Sequence, residues 1–367
     1  MSRNALNTVA CFALASAAAL HASSWKIQYF YDRDDSKFII GSLQFVDSTH
    51  GYAAGVRESE NGPRPMLTVT SDGGKTWKET YPPSVPESIF FTSPTSGFMV
   101  AAGGIWQTPD SGTSWRKLSE IDGTVSRVWF LNEKHGFAIG YPKLLKETRN
   151  GGITWTDVKA ASEIGGKPEK SRYTAIAFEG PVGLVAGVSE PSRPAPDYPA
   201  WIDPEDASRR RLWPTLSLGV RTADGGEHWK AQTAPVFGVT TQMHLNGNVG
   251  MSIVRYGESF EVPSEVYAVN AGGKVQSIYK AKNRIVTDCG WLGPETILVA
   301  VEPPGKLNEL PFPGKIHVLE SLDLSTWTEM KVSYKAFAGN AMFSIVDQSN
   351  AWLATDTGMI LHYEPGP

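Results

Sequence analysis

The chain has 367 residues, with 34 Lys+Arg against 38 Asp+Glu for a formal charge of -4, and it carries 36 Gly, 25 Pro, 12 Trp and 2 Cys. A hydrophobic fraction of 41% is enough for a core and excludes global disorder. Mild acidity without a basic block argues against nucleic acid as a partner, and two cysteines cannot build a disulfide scaffold.

The N-terminus reads as a separate object. Arg3 precedes an apolar run, Val9 to Leu20, and small residues allow a cut after Ala22. This is the pattern of a secretory signal peptide over residues 1–22, with the mature chain, 23–367, periplasmic or secreted. The run is too short to span a bilayer comfortably, and Cys11 lies too early for a lipid-anchoring box. The mature chain then keeps Cys289 alone, expected to be a small buried residue and not a nucleophile.

The tryptophans expose a repeat. Thr70-Ser71-Asp72-Gly73-Gly74-Lys75-Thr76-Trp77 recurs around Asp110 and Trp115, around Asn150 and Trp155, and around Asp224 and Trp229, where His228 replaces the Ser/Thr. The pattern is [ST]-x-[DN]-x-G-x-[ST]-W, the Asp-box or BNR motif. Its chemistry is that of a turn: the Asp or Asn oxygen accepts backbone N–H groups, glycine permits positive φ, and Trp opens the next strand. These aspartates are structural.

A second pattern precedes each box. An apolar alternation ends in an aromatic, and a turn leads to Gly and an apolar run, as in Leu43-x-Phe45 with Gly51 to Gly55, or Val128-x-Phe130 with Gly136 to Gly140. Further starts at Ile89, Ile176, Met243, Cys289 and Met342 make seven units of roughly 47 residues, the length of a propeller blade. The expected fold is all-β: one seven-bladed β-propeller of four-stranded antiparallel blades. Boxes five to seven are decayed, and the seventh unit stops after a third strand near Tyr363. Ser23-Ser24-Trp25-Lys26-Ile27 resembles the strand that a box leads into, as Thr76-Trp77-Lys78 does in the first. The N-terminal strand is therefore expected to complete the last blade and close the ring.

In such a meander the loops between strands two and three share one face. They read as long in unit one (Val56 to Pro65), unit four (Ser189 to Thr215), unit five (Tyr256 to Glu265) and unit six (Glu302 to Gly314). The insertion at about 189–215 holds Trp201, Trp213 and Arg209-Arg210-Arg211, outside the repeat. Long loops in compact domains are commonly functional. Arg127, Arg172 and Arg284 lie near inner strands and are candidates to bind carboxylates or phosphates, followed by Arg255, Glu258 and Glu261 in unit five. The seven His have no metal-ligand spacing, and no nucleophile elbow or phosphate loop is present, so no metal, cofactor or catalytic residue is assigned.

The run Gly136-Phe137-Ala138-Ile139-Gly140 with Thr148-Arg149-Asn150-Gly151-Gly152-Ile153-Thr154-Trp155, and its siblings, resembles the photosystem II stability/assembly factor family. That resemblance implies a seven-bladed propeller and an exported, non-catalytic assembly factor that holds a partner protein on an arginine-bearing face. Sialidases resemble the chain through the same boxes, but their Arg-Ile-Pro motif is absent. Xyloglucanase-type enzymes use two propellers, and this chain has room for one. The leading expectation is a monomeric propeller that binds a protein in the envelope. The alternative is a secreted glycoside hydrolase or glycan-binding propeller that uses acids and aromatics of the long-loop face.

Overall fold

The computed structural model describes residues 23–366, except 119, 192–201, 210–214, 248, 258–259, 270–273, 304, 308–309 and 334. The expected signal segment, 1–22, lies outside the described residues.

Seven antiparallel sheets succeed one another along the chain. The first blade runs Ser36–Phe45, Gly51–Ser59, Arg64–Thr70 and Lys78–Thr80; the next five repeat this order, starting at Ser88, Thr124, Ser171, Val239 and Ile285. The seventh runs Ala341–Ile345, Ala351–Thr355 and Met359–Glu364, and its fourth strand is Ser24–Phe30 from the other end of the chain. The first strand of every blade packs against the first strands of both neighbours, which closes a ring about a central channel. The fold is therefore a seven-bladed propeller closed by its N-terminal strand.

That closing strand is held on both sides. Trp25 pairs with Tyr363 on one edge and, in parallel, with Val332 on the other. The Ser333 N–H also donates to the Trp25 carbonyl at 3.1 Å. The Trp25 ring is fully buried, 5.4 Å from Phe343 and 5.5 Å from Tyr363 between centroids. Its indole N–H has no acceptor among the described residues.

The aromatic that ends an inner strand explains the glycine that comes after it. A β-carbon at Gly51, Gly97 or Gly136 would fall 2.4 Å from the ring of Phe45, Phe91 or Phe130. The ring lies over the missing side chain and stacks on an aromatic of the preceding blade. Phe45 meets Trp352 at 3.5 Å, Phe91 meets Tyr52 at 3.5 Å, Phe130 meets Phe98 at 3.7 Å and Phe178 meets Phe137 at 4.9 Å, all near-parallel. The box tryptophan of the same blade stands edge-on to that Phe, as Trp77 does on Phe45 at 90°.

The four boxes sit between strands three and four and repeat one hydrogen-bond set, save that the Trp229 indole of the fourth has no acceptor among the described residues. In the first, the Asp72 Oδ1 accepts the Thr76 N–H (2.9 Å), its Oδ2 accepts the Thr76 hydroxyl (2.6 Å), the Thr70 hydroxyl accepts the Gly74 N–H (2.9 Å) and the Trp77 indole donates to the Gly74 carbonyl (3.0 Å). Asn150 does the same with its amide donating to the Thr154 hydroxyl. In the fourth box the His228 ring takes the hydroxyl's place, 2.7 Å from the Asp224 carboxylate. The shortened sixth box keeps its carboxylate contacts at Asp323, while the Trp327 indole donates to Ile278 in blade five.

Trp25→Ala should destabilise the chain by about 3–5 kcal/mol in denaturant unfolding, whereas Trp25→Phe, which removes an unpaired N–H, should cost far less. Equal losses would mean that ring burial is not what closes the propeller. Hydrogen bonds from Thr76 hold the Asp72 carboxyl at a pKa of about 2, and those from His228 hold Asp224 at about 2. A carboxyl depressed on folding contributes stability that is complete above its unfolded value, near 4, and lost as pH falls through about 2. Asp72→Asn/Asp224→Asn should flatten the stability–pH curve between those limits, and an unchanged slope in acid titration would refute the assignment.

Candidate functional site

A four-strand meander places the two–three loops and the blade-to-blade connections on the face opposite the boxes. In blade four the second strand ends at Ser189 and the third begins at Leu216, with a short helix, Pro204–Arg209, between them. Blade five leaves Arg255 and resumes at Ser264; blade six leaves Val301 and resumes at Gly314, with a small hairpin of Gly305–Leu307 and Leu310–Phe312 between. Blade one differs from expectation. Val56 pairs with Pro65 and Arg57 with Arg64, so the segment expected as a long loop is a lengthened hairpin with a tight end at Gly62. Proline is tolerated there because it stands near the start of its strand.

The insertion is tied down onto blade five. Ile202 and Ala207 are buried with Phe237, and Tyr256 and Phe260 pack beside them. Beneath, the buried Glu265 accepts hydrogen bonds from the Tyr256 and Tyr267 hydroxyls, both at 2.8 Å, and from Ser277. The end of blade five and its connection to blade six send three cations to three elements. Lys280 reaches Asp203 of the insertion (3.3 Å), Lys282 reaches Glu261 of the blade-five loop (2.7 Å) and Arg284 reaches Glu329 of blade six (3.1 Å). Such exposed pairs contribute about 0–1 kcal/mol each, so they set the position of the loops more than their stability.

The three leading arginines occupy three different settings. Arg127 lies in the inner strand of blade three and crosses past blade four to blade five, donating to the Gln242 side chain (2.8 Å) and the Thr241 carbonyl (3.3 Å). Burial holds its guanidinium below the ordinary arginine range, against the pull of Asp288. Arg172 opens blade four and pairs with Glu190 at 2.7 Å. Arg284 belongs to the connection between blades five and six. Arg255 ends the second strand of blade five and is half-buried, and its side chain has no partner among the described residues; burial lowers its pKa. Trp201, Trp213, Arg210, Arg211 and Glu258 lie outside the described residues, as does the side chain of Arg209.

Several carboxylates are likewise engaged. The His317 ring stands between Glu302 (3.1 Å) and Glu329 (2.7 Å). Its hydrogen bond holds Glu302 below the usual carboxylate range. Burial alone would raise Glu329, but His317 and Arg284 outweigh it and lower it. In the channel, buried Asp288 accepts from the Phe343 N–H (2.8 Å) of blade seven and lies 2.8 Å from the His244 ring of blade five. Sequence reasoning missed Asp288 and His244, and also Lys143, which is almost fully buried and bound to carbonyls of the connection between blades three and four. Their neighbours come from other blades or from a later connection, so no local pattern marks them. Arg127→Met should destabilise by about 1–3 kcal/mol and should raise hydrogen exchange in the inner strands of blades four and five. Unchanged exchange there would rule out a tie across the channel.

The family model for the photosynthesis system II assembly factor YCF48 matches residues 115–192. The photosystem II assembly lipoprotein Ycf48 of Synechococcus sp. (strain CC9902) is 25% identical over 157 residues, covering 38% of this chain and 46% of that protein, so the match spans less than half of the relative. A structure described as YCF48 bound to D1 peptide superposes with a TM-score of 0.62 at 17% identity over 94% of this chain and 97% of its own. YCF48 from Cyanidioschyzon merolae superposes at 0.60 and 12%, over 93% and 98%. At these identities the superpositions establish the fold. With the repeated boxes, the family model and the Synechococcus relative, the chain resembles the photosystem II stability/assembly factor family.

Proposed function

We propose that the chain is an exported, non-enzymatic propeller that holds a protein partner on its long-loop face, as an assembly factor of the kind its relatives are named for. The observation that carries this is the asymmetry of the two faces. The long connections gather over blades four to six, and at their base the half-buried Arg255 has no partner among the described residues. An arginine that has lost part of its hydration without gaining an anion gains most from a ligand carboxylate. The peptide in the similar YCF48 structure supports the same use of the fold. Export rests on Arg3 and the apolar run after it; among the described residues no helix is long and apolar enough to cross a membrane.

The state of Glu302, Glu329 and Glu261 supports binding over glycoside hydrolysis, whereas burial raises Asp356 in the blade-seven turn of the same face. A general acid needs a raised pKa, and Glu302 and Glu329 are held low, while Glu261 is paired with Lys282. The test is crosslinked capture from an envelope fraction. A specific partner should be retained by wild type and by Lys134→Glu on the box face, and lost on Arg255→Glu. Retention by Arg255→Glu would sink the assignment of the face. Turnover of aryl glycosides that Glu261→Gln abolishes would replace the reading with the hydrolase.

A further inference from the structure

The connection between blades three and four is wrapped round an ammonium group. Lys143, 7% exposed, sits in a tight turn of blade three at φ 47°. Its Nζ donates to the carbonyls of Ser162 (3.2 Å), Gly166 (3.1 Å) and Ile164. No carboxylate is among these partners, and burial lowers the pKa of the group. In a trans peptide the C=O and the next N–H point in opposite directions. Carbonyls of Ile164 and Gly166 turned inward therefore turn the N–H groups of Gly165 and Lys167 outward. Neither N–H has a hydrogen-bond partner among the described residues.

Beside this loop lies a cavity of about 210 Å³ lined by Gly166, Lys167, Lys170, Ser189 and Glu190, with Pro191 and Leu216 as an apolar wall. Ser189 is 5% exposed, and its hydroxyl has no partner among the described residues. A β-carbon on residue 166 would fall 2.6 Å from that hydroxyl and 3.0 Å from the Ser171 hydroxyl, so glycine is what leaves the floor open. Glu190, the one acid of the lining, is paired with Arg172. Two lysines then remain to give the lining its charge.

We propose that this cavity binds a small oxyanion, a phosphate- or carboxylate-bearing solute. Its oxygens take the Ser189 hydroxyl, the outward Lys167 N–H and the two ammonium groups, and a short carbon body rests on Pro191 and Leu216. Backbone N–H groups beside cationic side chains are a general anion-binding device. The site is separate from Arg255, so it stands whether or not the partner-binding reading holds.

The test is calorimetric titration of the chain with inorganic phosphate and, separately, with butyrate at constant ionic strength. Saturable one-to-one binding of either is expected, and which of the two binds identifies the oxyanion. Ser189→Ala should weaken it about tenfold, the loss of one hydrogen bond to a charged group. Lys167→Met/Lys170→Met, a surface change that leaves the buried Lys143 cage intact, should weaken it at least as much, and Lys134→Met on the box face should not. No saturable heat with either probe, or an affinity that Ser189→Ala and the double lysine variant leave unchanged, overturns the site.

Discussion

Each of the four best-formed blade seams is held by a phenylalanine ring laid over a glycine and pressed against an aromatic of the preceding blade. The arrangement makes one blade incomplete without its neighbour, because the ring that ends its inner strand finds its stacking partner only across the seam. A single sheet of this kind would leave large apolar surface open to water, at roughly 25 cal/mol per Å². The chain must therefore continue from blade to blade until the last meets the first. Phe45 on Trp352 is that final meeting, and the N-terminal strand completes the blade from which Trp352 comes. The edge of Trp25 on the far side is covered in turn by Lys331 and Val332, so closure is a three-strand clamp. This explains how the two terminal strands stay joined while Cys289, the one cysteine among the described residues, is free.

These features were legible in the sequence because each is local and repeated. A box is closed by hydrogen bonds within its own short turn, and the aromatic and its glycine keep a near-constant separation, so both survive as spacing. Blade count and the closing strand come from the same period. The candidate site was legible only in outline. The arginines could be named, but whether a guanidinium faces solvent, a glutamate or the channel depends on strands far away in the chain, as Arg127 and Gln242 show. Lys143 was invisible for the same reason, since its carbonyl partners belong to the next connection. The blade-one loop was misread because Asn61-Gly62-Pro63 and Pro65 carry turn chemistry, although cross-strand pairing extends almost to the tip.

The same seam logic sets one seam of the ring apart from the rest. In blade four the residue after Gly183 is Leu184, not an aromatic, and in blade five the position of the stacking Phe is Leu245. The row of stacked rings therefore ends at the seam between blades four and five. Among the described residues, clusters of buried apolar side chains bridge the other six seams and none joins the two sheets at this one. Polar contacts add to the join, where Leu184 also lies against Gly250: the Thr174 hydroxyl donates to the Thr240 carbonyl at 2.6 Å, and Arg127 ties blade three to blade five from inside the channel. Over it lies the insertion, anchored on Phe237 and Phe260 and reached by Lys280. The described part of the insertion thus stands over the seam where no buried apolar cluster joins the two sheets.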